Sequence, residues 1–389
     1  MGLSKALWGY GFRPFFLAAG ALAAVLIPWW AGVFAWGLPL GTSWPPTLWH
    51  GHEMLFGFIG AAIAGFLLTA VPSWTGERGF AGWPLMSLAA AWVLGRLAVA
   101  TASLWPLPAV AALDLLFFPG LMILVSRPLL RARNRNTPLL AVLAALWATD
   151  IGFYWGLLHS DPALSRHALF VGIDIVLLLI TVVGGRIVPA FTSVALKHGS
   201  DPVRSSQALT RLAIAAMLTV VIVDLWRPES RVAGIVAAAV AVIHAFRLAQ
   251  WRGLRTLRAP IVWVLHAGYL WLAIGFALKA IALLTGLPFA AFYLHAFTIG
   301  AATTMIMAVM TRASLGHTGR PLIVARPTVC AYVLLTAATA VRVFGAAWLP
   351  LPYLSVVLLA ATLWTAAFVL FLAVYAPILF SPRVDGKPG

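Results

Sequence analysis

The stretch WHGHEMLFGFIGAAIAGFLLTAVP, residues 49–72, decides the fold class. From Met54 to Pro72 it is apolar and, at 1.5 Å per helical residue, long enough to cross a ~30 Å hydrocarbon layer. It nevertheless opens with two imidazoles and a carboxylate, His50, His52 and Glu53. Ionisable groups are costly at a bilayer, and where they occur they mark functional sites by default.

The rest of the chain repeats the pattern. Of 389 residues 62% are hydrophobic and 9% charged, and the mean hydropathy is +0.98. A soluble domain carries about a quarter charged residues, so the composition excludes one. The chain reads as a single all-α, polytopic transmembrane bundle over 1–389. About twelve apolar segments approach spanning length. They lie near 14–36, 48–72, 83–104, 106–130, 138–158, 166–194, 208–226, 231–248, 259–286, 289–313, 326–346 and 351–378. The first lacks a clear cleavage site and is longer than a signal-peptide core, so it is expected to be retained.

The formal charge is +16, but the basic residues are dispersed through short loops, which argues against a nucleic-acid partner. They report topology instead. With the N-terminus inside, nineteen of 26 basic residues fall in inner loops and tails, Arg13, Arg247, Lys5, Lys197, Arg204 and Lys387 among them. Only Arg166, Arg227 and Arg231 fall outside. This positive-inside bias predicts two cytoplasmic termini. The sole cysteine, Cys330, excludes an intrachain disulfide, a C-x-x-C-H haem attachment and a thiolate-rich metal site.

Spans 2, 6 and 10 share a layout, with a histidine near the outer end and a break near the inner one. The breaks are Val71-Pro72-Ser73-Trp74-Thr75, Val188-Pro189-Ala190-Phe191-Thr192 and Val309-Met310-Thr311-Arg312. Three four-helix repeats near 1–130, 131–248 and 249–389 would produce this spacing; coincidence among Gly/Pro-rich helix ends is the alternative. Twelve spans in three arcs is also the architecture of the haem-copper oxidase core, an analogy of form that carries no function.

Depth counting puts His50 and His52 within roughly 6 Å of the outer boundary and His295 roughly 9 Å below it. His159 and His167 lie on the same side. On an unbroken helix His50 and His52 point about 160° apart, so each is expected to serve a different partner. Glu53, on the His50 face with Met54, is the expected orienting carboxylate for His50. Metal or haem ligation and a merely wet interfacial pair both remain open for these histidines. The small residues after His295 admit a close helix or a flat macrocycle, and Met305, Met307 and Met310 read as core.

A second polar locus is expected at the inner level: His266 and Tyr269, Arg186 beside Gly184-Gly185, Arg13, Arg312, His317 and Arg320. Arg96 and Asp114 match in depth and read as a buried ion pair. Asp150 and Tyr154 form a polar spot or proton-relay step. Arg342 is deep with no obvious acid and suits an anionic group such as a haem propionate.

These residues fall in motifs that resemble the NnrS family. The resemblance runs through Gly11-Phe12-Arg13-Pro14-Phe15-Phe16, Trp49-His50-Gly51-His52-Glu53-Met54, Gly65-Phe66-Leu67-Leu68-Thr69-Ala70 and Trp74-Thr75-Gly76. It continues through Gly184-Gly185-Arg186-Ile187-Val188-Pro189-Ala190-Phe191-Thr192, His266-Ala267-Gly268-Tyr269 and His295-Ala296-Phe297-Thr298. It ends at Arg312-Ala313-Ser314-Leu315-Gly316-His317-Thr318-Gly319-Arg320.

The resemblance implies a bacterial inner-membrane protein that binds haem and copper and is associated with denitrification and nitric-oxide defence. By matching position, it implies a b-type haem ligated by His295 and one of His50 and His52, with Glu53 and Arg342 supporting. The other outer histidine, with Met54 or His167, is then the copper candidate, and His266 a further metal candidate. Nitric oxide and a redox partner are the expected partners besides the lipid bilayer. A transporter for copper or a nitrogen-oxide-related solute is the alternative reading, since twelve spans with kinks and buried His/Met suit transport equally. Span 7 has no histidine, so an oxidase-like dinuclear centre is not expected.

Overall fold

The computed structural model describes residues 6–196, 203 and 205–386. Among them the secondary structure is helical, with twelve helices long and apolar enough to cross a membrane. They are α1 (Phe12–Trp36), α2 (Pro46–Thr75), α3 (Trp83–Ala100), α4 (Leu107–Arg131), α5 (Leu139–Leu158) and α6 (Pro162–Ala195). There follow α7 (Gln207–Trp226), α8 (Arg231–Gln250), α9 (Pro260–Thr285), α10 (Pro288–His317), α11 (Arg326–Trp348) and α12 (Tyr353–Phe380). The expected all-α, twelve-span architecture is what forms. Lys5, Lys197, Arg204 and Lys387 of the topology count lie outside the described residues.

Local chemistry sets the helix ends. Proline sits in the first turn of α2, α3, α9 and α11, where its missing N–H has no helical partner to lose. Ser206 and Ser230 cap α7 and α8 by accepting from the amides of Leu209 and Ala233. Gly37, Gly76 and Gly286 end α1, α2 and α9 in the left-handed conformation, which glycine adopts without a Cβ penalty.

One feature departs from the regular helix that sequence periodicity predicts. Directly after His52, residues Glu53–Ile59 of α2 form a π-helix, and directly after His295, Ala296–Thr303 of α10 form another. Segments of this kind are rare and cluster at functional sites. Helix α6, which shares the expected layout with α2 and α10, is α-helical from end to end. The π register shifts carbonyls out of their usual bonds, and side chains take them up. Trp92 Nε1 donates to Gly57 O at 3.0 Å, and Thr303 Oγ1 donates to Thr298 O at 2.9 Å.

The chain forms two compact units. Unit 1 comprises residues 1–172, 309–322 and 368–389; unit 2 comprises 173–308 and 323–367. In unit 1, α2 is the enclosed element, 83% of its apolar window being buried. Gly65 seats Phe16 and Gly11 seats Leu68, so α1 and α2 approach closely through small residues. In unit 2 the enclosed helices are α6, which enters the unit at residue 173 and is 78% buried, and α9, at 72%, against 22% for α7. There Gly275 seats Phe297 and Gly300 seats Trp271, which locks α9 against α10.

Candidate functional site

A polar cluster in unit 1 is centred on His52, whose ring is fully buried. Its Nδ1 is 3.1 Å from Glu53 Oε1. Its Nε2 faces two more carboxylates, Asp114 Oδ2 at 3.1 Å and Asp150 Oδ1 at 3.2 Å. Arg96 pairs with both Glu53 and Asp114, and Tyr154 donates to Asp114 Oδ2 at 2.8 Å. Phe56, Phe153 and Trp44 pack around the imidazole. Four helices, α2 to α5, thus deliver one charged core.

Glycine makes the cluster sterically possible. A Cβ on Gly95 would fall 2.5 Å from Asp114 Oδ1, and one on Gly57 would fall 2.8 Å from Arg96 Nη1. Both glycines clear the space in which the guanidinium bridges α2, α3 and α4.

The cluster is electrostatically incomplete. Three carboxylates face one guanidinium, so a neutral imidazole leaves a surplus of negative charge in a dry interior, which is costly unless compensated. Hydrogen-bonding logic gives the same answer. A neutral imidazole has one N–H and one lone pair, so either tautomer turns a lone pair onto a carboxylate oxygen. The arrangement is satisfied when a cation, a proton or a metal ion, sits between Nε2 and the two aspartates. His52, Asp114 and Asp150 each offer a ligand atom, all within 4.8 Å of one another. This nitrogen–oxygen donor set suits a divalent ion such as Cu(II) and is ill suited to Cu(I), which prefers sulfur. A cleft of about 520 Å³, lined by Trp44, Ser103, Gly156, Ser160 and Asp161 among others, opens next to the cluster. Trp44 stands between cleft and imidazole, its ring 5.7 Å from that of His52.

The expected division between the two histidines of α2 is present. His50 is half-buried and stacks on Trp30, with ring centroids 4.7 Å apart and planes at 13°. The orienting carboxylate is assigned differently from expectation: Glu53 turns to His52, because the helix becomes π at Glu53. The expected Arg96–Asp114 ion pair forms; Tyr154 joins it through Asp114, and Asp150 is linked to it through His52. Sequence reasoning did not gather these acids around His52, although their burial depth was a usable signal.

A haem fits His52 poorly: both ring nitrogens face carboxylates and aromatic side chains cover the ring. The small-residue face after His295 is filled too, since Gly300 seats Trp271 and lies against Thr339. That face is a helix contact. His295 itself is half-buried, as are Met54 and His167.

The inner polar locus expected from sequence divides between the units. In unit 1, Arg13 is fully buried and its Nη1 donates to the carbonyls of Leu379 (2.8 Å) and Ser381 (2.6 Å). It caps the C-terminus of α12, where a cation is stabilising, and is not a solvated loop charge. His317 packs on Tyr10 and Phe12, and its carbonyl accepts from Arg383 at 2.9 Å. Burial raises the Tyr10 phenol above its ordinary range, and Arg383 opposes the shift. Arg312 and Arg320 are half-buried.

In unit 2, His266 Nε2 is 2.8 Å from Thr192 Oγ1, the last residue of the expected break in α6. Arg186 is exposed. The interior cation of this region is Arg247, 1% exposed and bonded to Tyr269, a residue that charge counting had assigned to an inner loop. Arg342 keeps company with aromatic rings, donating to Tyr353 Oη at 3.1 Å and lying 4.7 Å over Phe292.

No curated protein sequence matches the chain. The family model of the NnrS protein matches residues 6–383, a range that contains every residue of the His52 cluster, and the chain belongs to the NnrS family.

Proposed function

We propose that this protein is a bacterial inner-membrane haem/copper protein that handles nitric oxide or protects against it. The NnrS family is one of nitric-oxide-related membrane proteins associated with haem and copper, and twelve membrane-length helices fit that setting. The inner membrane is what the family resemblance implies, and the positive-inside bias supports two cytoplasmic termini there. Nitric oxide and a redox partner are the proposed partners beyond the bilayer.

The observation that carries the metal part of the reading is the unbalanced His52–Asp114–Asp150 cluster. Copper held there would supply one-electron redox chemistry. The protein's own residues do the positioning. Glu53 accepts from Nδ1–H and leaves the Nε2 lone pair toward the aspartates, as carboxylate–histidine pairs do at metal sites. Arg96 offsets two carboxylates, and the Tyr154 hydroxyl fixes the rotation of Asp114. For the haem, His50 in unit 1 and His295 in unit 2 are the ligand candidates, and Arg342 the candidate for a propionate. Met54, His167 and His266 are the remaining metal candidates.

Optical spectra and metal analysis of protein purified from copper-supplemented, haem-replete cells test the reading. A Soret band and bound copper are expected; a colourless, copper-free protein would remove it. Copper flux in proteoliposomes that persists without haem would point to a transporter instead.

A further inference from the structure

In unit 2, α8 and α9 bury a cation that has no counter-ion among the described residues. Arg247 Nη1 donates to Thr181 O and to Tyr269 Oη, both at 2.8 Å. Its Nη2 has only a 3.4 Å contact with Thr210 Oγ1, and its Nε has no partner. No carboxylate pairs with it among the described residues. The guanidinium lies over the rings of Trp251 and Tyr269, at 5.4 and 5.9 Å. It fits because residue 185 is glycine: a Cβ there would fall 1.8 Å from Nη2.

Two neighbours share the deficit. Trp251 is fully buried and its Nε1 is unpartnered; an indole N–H can only donate. His244, also fully buried, has Nδ1 2.8 Å from Tyr269 Oη. Because Tyr269 Oη accepts from Arg247, its own proton goes to His244 Nδ1. His244 Nε2 therefore carries the ring's hydrogen, and it too is unpartnered. Three donors and one uncompensated positive charge meet in one dry cluster, whereas buried polar groups are nearly always hydrogen-bonded.

We propose that Arg247, Trp251 and His244 form a binding site for a planar anion that presents two oxygens, a carboxylate or a nitrogen oxyanion. The Nε–Nη2 edge of arginine is a two-donor fork whose spacing matches two such oxygens. Trp251 and His244 add donors that no cation would accept. Arg247 lies about 4.5 Å from the end of α8, next to a turn that carries Arg252, Arg255 and Arg258. A basic collar of this kind raises the local concentration of anions. The proposal is independent of the His52 cluster.

The test is a titration of the full-length protein in nanodiscs with nitrite, nitrate, formate, acetate and, as the spherical control, chloride, read by calorimetry and thermal midpoint. The planar anions are expected to bind saturably and to raise the midpoint, while chloride does neither. Arg247→Lys keeps the charge but loses the fork, and Trp251→Phe removes the unpartnered N–H while keeping an aromatic ring beside the guanidinium. Each is expected to weaken binding about tenfold, the value of one charge-assisted hydrogen bond. Trp251→Phe breaks no hydrogen bond of the free protein, and its binding decides the matter even if Arg247→Lys does not fold. A haem-loaded sample separates the two sources of the anion. A free anion binds with haem present, whereas a haem propionate in the site blocks it and haem dimethyl ester does not. Folded wild type that binds none of these anions, or variants that bind them as wild type does, would overturn the proposal.

Discussion

Gly95 on α3 faces Asp114 on α4 so closely that a single methyl group at residue 95 would fall 2.5 Å from the carboxylate oxygen that receives Arg96. The ion pair and the glycine are thus one device: the guanidinium reaches Asp114 only where the helix surface has no side chain. Gly95→Ala is expected to lower stability by about 1–3 kcal/mol, as overpacking does. Thermal midpoints in detergent measure it, and a midpoint equal to wild type would show that α3 and α4 can separate freely.

Arg96 and Asp114 are expected to depend on each other. Arg96→Met leaves Glu53 and Asp114 without their cation and costs about 3–5 kcal/mol, whereas Asp114→Asn costs less because Arg96 keeps Glu53. The double variant should recover part of that loss, and a double-mutant cycle reads the coupling. Additive losses would mean that the two act separately.

Asp150→Asn tests the cation site with little risk to the fold, because Asp150 bonds to neither Arg96 nor Tyr154. Bound copper is expected to fall at least ~10-fold, in line with ligand-sphere substitutions at other metal sites. Metal ligands must be deprotonated, so protons compete with copper and occupancy in the wild type falls as the pH is lowered. Copper content that is the same in Asp150→Asn and wild type places the ion elsewhere.

His50→Ala and His52→Ala should separate by phenotype. His50 stacks on Trp30 and is the haem candidate of unit 1, so its loss should alter the Soret band and spare copper. His52→Ala should do the reverse and also destabilise, since it strips a fully buried ring from three carboxylates. Identical effects on both cofactors would refute the division.

Trp44 stands between the cleft and His52. Trp44→Ala opens that wall, and copper exchange against a chelator is expected to speed up while equilibrium content changes little. An unchanged exchange rate would place the entry route elsewhere.

Much of this was legible from residues alone. Hydropathy marked all twelve helices, since crossing a bilayer demands a long apolar run whatever the tertiary context. Helical geometry showed that His50 and His52 diverge, and depth counting paired Arg96 with Asp114. The π segments were not legible. They depend on which neighbour receives a displaced carbonyl, and Trp92, 35 residues from Gly57, is that neighbour. Loop counting likewise put Arg13 and Arg247 among the inner loops and tails; the fold buries both, because each finds acceptors on distant helices.

Sequence by itself determined the class of molecule, the spans and the residues too costly to be idle in a membrane, because those follow from the transfer free energy of each side chain. Only the tertiary structure decided which partner each costly residue takes. Glu53 serves His52, two aspartates face its other nitrogen, and Arg247 stands over aromatic rings with no acid beside it among the described residues. These pairings depend on gaps left by Gly57, Gly95 and Gly185, whose meaning appears only when a second helix packs against them.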